Sequence, residues 1–384
     1  MNYDFEKIRA YKDEDLPVVM DRLLKSRWFI RNCRMLLFPG LPGWLNKPFD
    51  SGLKLFLTWR LKPIKTTLEL HRKIIIDKVV SKVIFKTSDG ISFSGLEKLD
   101  RTKPYLFVSN HRDIALDPLL VNYILCTNNF HPAEIGFGNN LMFNEPLTDL
   151  IRIYGSFIIQ RDLPKREKIK AVANLSAYIR FRLQQGRSIW IAQRKGRAKD
   201  GFDKTNPSVL KMVYYSARKE GQNFEDFLDS VNLIPVSISY ELDPLDRLKA
   251  WEVFEIRNKG QHIKWKMEDM TSVIYGMRGD KGRINCSFGD RIKGFKSPAE
   301  AAEELDRQIY RSYRLWPTNY IAYDILKGEE RYADRYTSWE KVFFLRRFRN
   351  MKKEVRTIAM RTYANPVINQ TSTIQPSGAS TSPS

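Results

Sequence analysis

The sequence predicts an α/β fold, in which a mixed, largely parallel sheet is flanked by helices and extended by helical regions at both ends. Short apolar segments of strand length alternate with longer helical segments in the middle of the chain, as is typical of parallel sheets. Before and after that part, apolar residues recur with helical spacing. We therefore divide the chain into a basic helical region (1–80), an α/β domain (81–295), a second basic helical region (296–363) and a tail (364–384).

The N-terminal region is helical and strongly basic. Helical spacing recurs in three segments, Leu16–Leu24, Trp28–Phe38 and Leu53–Leu61. Ten basic residues between Arg22 and Lys65 stand against a single acid, Asp50, and large apolar residues are interleaved with them. Such a mixture suits helices that lie on a membrane surface. An equally weighted alternative is packing against the rest of the protein with a solvated basic rim, because amphipathicity does not identify the buried partner.

The α/β domain begins with a predicted hairpin, whose turn is Asp89-Gly90 between alternating apolar residues. Five strands are then expected, at Tyr105–Ser109, Glu134–Phe137, Ser156–Ile159, Ser188–Ala192 and Leu233–Ser239. Helices are expected between them, among others at Pro118–Cys126, Lys165–Gln185 and Ser208–Lys219. In open sheets of this kind, ligands bind beyond the carboxyl ends of the strands, so the residues that follow each strand are the candidates for chemistry.

A basic amphipathic helix is predicted near the C-terminus. Its apolar face comprises Phe344, Phe348, Met351, Val355 and Ile358, which recur at spacings of three and four. Its other faces carry Arg346, Arg347, Arg349, Lys352, Lys353 and Arg356. Such a helix contacts a membrane or a partner, although packing on its own protein is the more frequent outcome. From about Ala364 the chain is rich in Ser, Thr and Pro without periodicity and is expected to be disordered.

Composition limits the classes of function. The 384 residues are 42% hydrophobic, which excludes global disorder, and the net charge of +21 favours a polyanionic partner such as nucleic acid, an anionic membrane or a phosphorylated substrate. Cys33, Cys126 and Cys286 are too few and too far apart for a disulfide framework or a zinc cluster, so reduced cysteines in a cytosolic compartment are expected. We expect no export signal, because the N-terminus is acidic, and no spanning helix, because no apolar run reaches about 18 residues.

A histidine follows the first of the five expected strands. After His111 come two carboxylates, Asp113 and Asp117, at the start of a helix. Imidazole is suited to removing a proton near neutral pH, and a carboxylate can fix its tautomer and stabilise its protonated form. The segment therefore predicts a general base and its orienting carboxylate. The alternative is that one of the carboxylates caps the helix and that His111 is a hydrogen-bonded structural residue.

Cations follow two further strands. Arg161 ends the strand in YGSFIIQRD, and the planar fork of an arginine suits phosphate oxygens. Four more cations crowd one turn around Gly196, namely Arg194, Lys195, Arg197 and Lys199. Like charges at this spacing repel one another unless an anion lies among them, and a phosphate is the natural anion. A solvated basic loop is the alternative for this turn.

The fourth segment is the apolar strand VNLIPVSISYE. It contains Pro235, which marks a strand start, an edge or a bulge because proline cannot donate a ladder hydrogen bond. The four segments in this order resemble the glycerolipid acyltransferases, the family of glycerol-3-phosphate and 1-acylglycerol-3-phosphate acyltransferases. The resemblance extends from about His111 to Glu241 and implies the fold of that family.

The resemblance also implies roles for the residues already named. His111 would be the catalytic base and Asp117 its partner, with Asp113 as the fallback, although five residues separate the pair here and four do so in the family. The implied substrate-binding set is Gly155, Phe157, Arg161, Arg194, Lys195, Gly196 and Arg197, and Pro235 would shape the acyl pocket. Lys195 stands where the family has a glutamate, and this exchange reverses the local charge.

The implied function is transfer of an acyl group from acyl-CoA or acyl carrier protein to a hydroxyl of glycerol 3-phosphate or its 1-acyl form, in phospholipid synthesis. No metal and no redox cofactor is expected. The expected partners are these substrates and an anionic membrane surface, with the protein peripheral on the inner face of the cytoplasmic membrane. Two alternatives stay open. One is a catalytically impaired relative that binds lipid or acyl donor, which Lys195 suggests. The other is a nucleic-acid binder, which only the net positive charge suggests.

Overall fold

The computed structural model describes residues 3–38, 40–265 and 267–374. Among them is one seven-stranded sheet, with β1 (Ile91–Ser94), β2 (Leu106–Ser109), β3 (Glu134–Gly138), β4 (Ser156–Ile159), β5 (Ile189–Ala192), β6 (Leu233–Tyr240) and β7 (Ile284–Phe288). The strand order is β1-β7-β6-β2-β5-β3-β4, and all neighbours are parallel except β6 and β7. The predicted mixed, largely parallel α/β class is confirmed. The carboxyl ends of β2 to β6 therefore meet at one edge of the sheet.

Helices cover the sheet and form both extensions. The N-terminal helices are α1 (Leu16–Lys25), α2 (Arg27–Leu37), α3 (Asn46–Leu61) and α4 (Thr67–Leu70), which continues as a π-helical segment, His71–Ile84. The helices between the strands are α5 (Leu116–Thr127), α6 (Glu145–Ile153), α7 (Lys165–Gln184), α8 (Pro207–Lys219), α9 (Phe224–Val231), α10 (Asp246–Lys259) and α11 (Glu268–Arg278). The C-terminal helices are α12 (Pro298–Ser312), α13 (Pro317–Lys327), α14 (Ser338–Arg346) and α15 (Lys353–Ile374).

Alternation along the strands divides the core into two layers. Phe107 of β2 joins the apolar cluster under α5 and the π-helical segment, whereas Leu106 and Val108 join the cluster under α7, α8 and α9. Successive residues of a strand point to opposite faces, so both faces of β2 are covered. This burial explains why the central strands are apolar throughout and do not alternate with polar residues.

The N-terminal helices pack as a layer of their own. Leu23 of α1, Phe29 of α2 and Leu53 of α3 share a cluster with Ile153 of α6. The helices α1 to α3 are therefore attached to the α/β domain through α6. One face is buried in the protein, as the packing alternative had it, while Trp44, Leu55 and Trp59 are 79%, 73% and 68% exposed.

Two details of the α/β domain differ from the prediction. The expected hairpin around Asp89-Gly90 is wrong, because the chain up to Ile84 is helical and β1 pairs in parallel with β7. Ile84 is fully buried in the cluster with α5. This residue, which the hairpin prediction assigned to a strand, therefore belongs to the buried face of a helix. The helical N-terminal region consequently extends past residue 80, and β7 is a strand that the sequence pattern did not reveal.

The C-terminal apolar stripe is split between two helices. The chain turns between Arg346 and Lys353, so the prediction of one continuous helix is wrong. Phe344, Phe348 and Val355 nevertheless lie in a single buried cluster with residues of α13 and α10. The stripe thus packs on its own protein, as the more frequent alternative had it.

The final helix extends further than expected. α15 continues to Ile374, so the expectation of a disordered tail from Ala364 is wrong up to that residue, and residues 375–384 lie outside the described part. Ala364 and Val367 are buried, and Gln370 Nε2 donates to the carbonyl oxygen of Tyr313 at 3.0 Å. These contacts with the end of α12 hold a segment whose polar composition alone suggested disorder.

Two neighbouring phenylalanines test this account of the C-terminal core. We expect Phe344→Ala to lower the free energy of unfolding by about 3–5 kcal/mol, because it leaves a cavity among buried side chains. Phe343→Ala should change it by less than about 0.5 kcal/mol, because Phe343 is 53% exposed and Phe344 only 1%. Urea denaturation of both variants measures the difference. Equal effects would contradict the assignment of the two faces of α14.

Candidate active site

The loops that follow the parallel strands converge at the shared carboxyl edge. His111 follows β2, Arg161 follows β4, and the loop of residues 193–206 follows β5. Two backbone bonds join the first and third of these loops, from Gln193 N to Ser109 O at 2.8 Å and from Ala198 N to His111 O at 2.8 Å. The parallel topology thus brings together residues that lie far apart in the sequence.

A histidine–carboxylate pair lies at the centre of this edge. His111 Nδ1 lies 2.9 Å from Asp117 Oδ2, and Asp117 belongs to the first turn of α5. The same oxygen accepts the backbone N–H groups of Arg112 and Asp113 at 2.6 and 2.9 Å. The Tyr240 hydroxyl donates to the other oxygen at 2.8 Å. Four donors therefore surround a carboxylate with no solvent exposure.

The arrangement around His111 suits it to act as a base. The imidazole is 14% exposed, and its ring lies edge-to-face with Trp190 at a centroid distance of 5.9 Å. Since Nδ1 faces the carboxylate, a neutral imidazole carries its proton there and leaves the Nε2 lone pair for another donor. A hydroxyl at Nε2 would lose its proton to the ring, and Asp117 would stabilise the resulting imidazolium.

Asp113 is a helix cap and does not contact His111. Its Oδ1 accepts the backbone N–H groups of Ala115 and Leu116, each at 2.9 Å, at the start of α5. Its Oδ2 is buried without a hydrogen-bond partner, against Gly276 of α11. Burial, followed by the charge of Asp117, raises the pKa of Asp113. Of the two candidate orienters, the structure therefore brings only Asp117 to the histidine.

Tyr240 is the site residue that the sequence did not single out. It is the last residue of β6, so the rule that pointed to the residues after each strand would also have pointed to this end of β6. Burial, and then the charges of Asp117 and Asp113, raise the Tyr240 pKa well above its ordinary value. The hydroxyl consequently keeps its proton and remains a donor to Asp117.

The second of the four sequence segments, YGSFIIQRD at residues 154–162, is spread along the whole of β4. Gly155 precedes the strand, with φ at +83° and its Cα facing the His71 ring, and Phe157 is fully buried in the core. Only Arg161 lies beyond the carboxyl end of the strand. The structure therefore brings Arg161 to the site and leaves Gly155 and Phe157 away from it.

Arg161 lies against the backbone of Gly138, where there is no side chain. A Cβ on Gly138 would come within 2.6 Å of Arg161 Cζ, so the glycine makes room for the guanidinium. Nη1 donates to Asn140 Oδ1 at 3.4 Å, and the Arg161 backbone N–H donates to Asn139 Oδ1 at 3.0 Å. Burial lowers the Arg161 pKa. Within the described chain this guanidinium forms no ion pair, so it is available to an anion.

A buried ion pair holds the third of the four sequence segments next to His111. This segment is the cationic turn of residues 194–199, which we call the third motif. Arg112 Nη2 lies 2.6 Å from Asp203 Oδ2, and both side chains are almost fully buried. Asn110 Nδ2 also donates to Asp203, at 3.3 Å. Burial raises the Asp203 pKa, and Arg112 opposes that shift. The residues on either side of His111 thus hold the loop that carries the third motif.

Lys195 and Gly196 of the third motif are exposed, whereas Arg194 and Arg197 are half-buried. Gly196 has a φ of +78°, and Arg197 forms no ion pair among the described residues. Arg194 Nη1 reaches only the carbonyl oxygen of Phe202, at 3.5 Å. Lys195 Nζ lies 3.4 Å from Asp162 Oδ1, and both of these side chains are at least 70% exposed. Arg194 and Arg197 therefore offer positive charge that no ion pair among the described residues compensates.

Pro235 lies inside the sheet. It is buried in β6 opposite Val108 of β2, and its carbonyl oxygen accepts the Gly289 N–H at 2.8 Å. Because proline has no N–H to return this bond, the ladder between β6 and β7 ends here. The structure thus places Pro235 near the start of an interior strand and away from the carboxyl edge.

One group of described residues has a geometry that could hold a metal ion. Ligand atoms of Glu252, His262 and Glu268 lie within 4.8 Å of one another. Cations and hydrogen bonds already satisfy these groups, because His262 bridges Glu255 and Glu268 at 2.6 and 2.9 Å and Lys199 pairs with Glu252. Burial lowers the His262 pKa, but its two carboxylate partners outweigh that effect and raise it. The cluster therefore ties α10 and α11 to the 193–206 loop.

Residues 90–203 match the family model described as Acyltransferase. The chain carries an acyltransferase domain. The matched segment contains His111, Asp117, Arg161 and Arg197, and its description agrees with the acyl transfer that the sequence motifs suggested. Pro235 and Tyr240 lie beyond the matched segment of the acyltransferase domain.

A solved structure is similar to this chain over much of its length. It is the crystal structure of the 1-acyl-sn-glycerophosphate (LPA) acyltransferase, PlsC, from Thermotoga maritima, with 13% identity and a TM-score of 0.41. The similarity covers 77% of this chain and 94% of that chain. Among curated proteins, none matches this chain.

The hydroxyl of Tyr240 provides a test of the site of the acyltransferase domain. Tyr240→Phe should lower the free energy of unfolding at pH 7 by about 1–3 kcal/mol, because the buried Asp117 carboxylate loses a donor that water cannot replace. Tyr275→Phe is the matched control, since Tyr275 is 57% exposed, and it should have almost no effect. Urea denaturation compares the two variants. A Tyr240→Phe protein as stable as the parent would contradict the role of Tyr240.

Proposed function

We propose that the protein is an O-acyltransferase of phospholipid synthesis, which moves a fatty acyl group from a thioester to a hydroxyl of glycerol 3-phosphate or 1-acylglycerol 3-phosphate. The observation that carries the proposal is the pairing of His111 Nδ1 with a buried Asp117 at 2.9 Å, at the same sheet edge as guanidinium groups that form no ion pair with any described residue. A base and an anion-binding surface are the two parts that this reaction requires.

The chemical step uses His111 alone for proton transfer. Nε2 removes the proton of the acceptor hydroxyl while the oxygen attacks the carbonyl carbon of the thioester. The tetrahedral intermediate then collapses, the carbon–sulfur bond breaks, and the thiolate takes the proton from the imidazolium. Asp117 stabilises the imidazolium between these two transfers. No electron is exchanged, so the proposed step needs neither a redox cofactor nor a metal.

The acceptor phosphate is proposed to lie among Arg161, Arg194 and Arg197. Arginine forks bind phosphate oxygens in pairs of hydrogen bonds, and within the described chain these three arginines have no carboxylate at ion-pair distance. In contrast, Arg112 is buried on Asp203 and is not free for substrate. Lys195 adds positive charge at the rim, where Asp162 is its exposed partner.

A membrane surface is the proposed partner of the N-terminal region. Trp44, Leu55, Phe56 and Trp59 are all more than half exposed, and together they define the N-terminal surface. Seven nearby cations form no ion pair among the described residues, namely Arg27, Arg31, Lys47, Lys54, Arg60, Lys62 and Lys65. Each cation near an anionic leaflet contributes roughly 1 kcal/mol of attachment, so this surface suits peripheral binding.

We place the protein on the inner face of the cytoplasmic membrane. Its three cysteines are all free thiols, as is usual in a reducing compartment. None of the described helices combines the length and the apolar character needed to cross a bilayer. The acyl donor in this proposal is acyl-CoA or the acidic acyl carrier protein, and either would be attracted by the net charge of +21.

Replacing the proposed base is the first test. With acyl-CoA and glycerol 3-phosphate or lysophosphatidic acid, the parent chain should release free thiol only when the acceptor is present. His111→Ala should lower this rate by about 10²–10⁴-fold, because the general base is lost. His131→Ala is the matched control, since His131 is an exposed histidine outside the site. Full activity in His111→Ala would overturn the proposal.

The third motif provides a second test. Arg197→Gln should raise the KM for the phosphorylated acceptor by about 10-fold or more and leave the KM for acyl-CoA unchanged, because a charge-assisted hydrogen bond to phosphate is lost. Lys195→Glu restores the charge that the family has at this position. A silent parent chain together with an active Lys195→Glu variant would favour the catalytically impaired relative instead.

A further inference from the structure

The helix α14 exposes a second apolar face. Trp339, Val342 and Phe343 are 67%, 46% and 53% exposed, and their spacing of three and four residues places them on one side of the helix. Phe344, on the other side, is 1% exposed and packs against Phe348 and Tyr363. We call the exposed face the α14 surface. It is distinct from the buried C-terminal stripe, which is already covered by α10 and α13.

Cations without an ion-pair partner among the described residues lie on α14 and directly after it in the chain. Five exposed cations on and after α14 form no ion pair among the described residues, namely Arg346, Arg349, Lys352, Lys353 and Arg356. The Arg346 guanidinium lies 5.9 Å from the Trp339 ring centroid. The carboxylate of Glu340 is occupied by the Thr337 cap at the start of α14, which leaves Glu354 as the other acid of the segment 338–356.

The α14 surface has a rigid attachment to the candidate site. Arg347, directly after α14, pairs with the buried Asp246 at 2.5 Å. The Tyr363 hydroxyl donates to the same carboxylate at 2.7 Å. In the adjoining helix α13, Thr318 Oγ1 donates to the carbonyl oxygen of Glu241 at 2.7 Å, and Glu241 directly follows β6. The surface is thus connected to the carboxyl edge that carries His111.

We propose that the α14 surface binds an anionic lipid membrane as a second contact, in addition to the N-terminal surface; this inference rests on the proposed function, because it names where the same enzyme meets its lipid. Large apolar side chains flanked by arginine and lysine suit the interface of a bilayer, where the rings enter the headgroup layer and the cations meet lipid phosphates. The charge selects anionic lipid. The three apolar side chains protrude from a convex helix face, which a fluid surface accommodates without a complementary groove.

A label on Val342 tests the contact directly. Val342→Cys can be labelled selectively with a thiol-reactive fluorophore, because burial raises the pKa of Cys33 to about 12 and of Cys126 to about 11, and also raises that of Cys286. With vesicles of phosphatidylcholine and phosphatidylglycerol that contain nitroxide lipid, its emission should fall by about twofold or more. A label at Ile169→Cys of α7, where Ile169 is 52% exposed, should be unaffected.

Two pairs of variants complete the test. Trp339→Ala with Phe343→Ala should lower partition of the full chain onto anionic vesicles by about tenfold. Arg346→Gln with Arg349→Gln should do so to a similar extent. Arg218→Gln with Lys219→Gln removes the same charge from exposed positions on α8 and should have a smaller effect. Unquenched Val342→Cys emission on bound vesicles, or a full chain that does not bind anionic vesicles, would overturn the proposal.

The outcomes also separate this inference from the proposed function. Thiol release with the soluble acceptor glycerol 3-phosphate should be unchanged in Trp339→Ala with Phe343→Ala. Quenching without any thiol release would contradict the proposed acyl transfer and support the membrane contact. Thiol release without quenching would support the acyl transfer and contradict the membrane contact. If this double variant loses binding to acyl carrier protein and keeps its partition onto vesicles, the α14 surface is a protein contact and the inference is wrong.

Discussion

The structure of the site depends on the buried carboxylate of Asp117. A charge without solvent contact is costly unless donors surround it, and here the four donors come from the His111 ring, two backbone N–H groups and the Tyr240 hydroxyl. The two backbone donors require the chain after β2 to wrap around the carboxylate. The hydroxyl ties that loop to the end of β6. The position and tautomer of His111 are therefore consequences of solvating one buried charge.

The other charged side chains of the site form two groups, which differ in how deeply they are buried. Arg112 and Asp203 neutralise each other inside the protein and hold the loop of the third motif. Arg161 and Arg197 are half-buried at the same edge and have no ion-pair partner among the described residues. A buried pair is strongly destabilised when one partner is removed, whereas a guanidinium without such a partner remains available to a ligand. The structural arginine and the two arginines proposed to bind phosphate thus differ in their ion-pair partners.

Both helical extensions follow the same physical rule. Each buries one apolar stripe against the α/β domain and leaves other apolar side chains flanked by cations. In α15 the buried stripe also reaches the site, because Thr362 Oγ1 donates to the carbonyl oxygen of Lys199 at 2.9 Å. A Cβ on Gly201 would lie 2.2 Å from the Thr362 carbonyl oxygen, so the two backbones meet where one residue has no side chain. The extensions are therefore part of the structure that holds the site.

The sequence by itself determined the class of the sheet, five of its strands and the pairing of His111 with a nearby carboxylate. These features are local, because strand patterns and a histidine close to an aspartate are visible within a few residues. The resemblance already named Asp117 as the partner of His111, and the tertiary structure agrees, because Asp117 and not Asp113 contacts the ring. Only the tertiary structure decided that Tyr240 is a further donor to this carboxylate and that Gly155 and Phe157 lie away from Arg161. It also decided that β1 pairs with β7 and that a Ser/Thr-rich segment is helical up to Ile374. These choices depend on contacts between distant segments, and burial against such partners overrides local propensity.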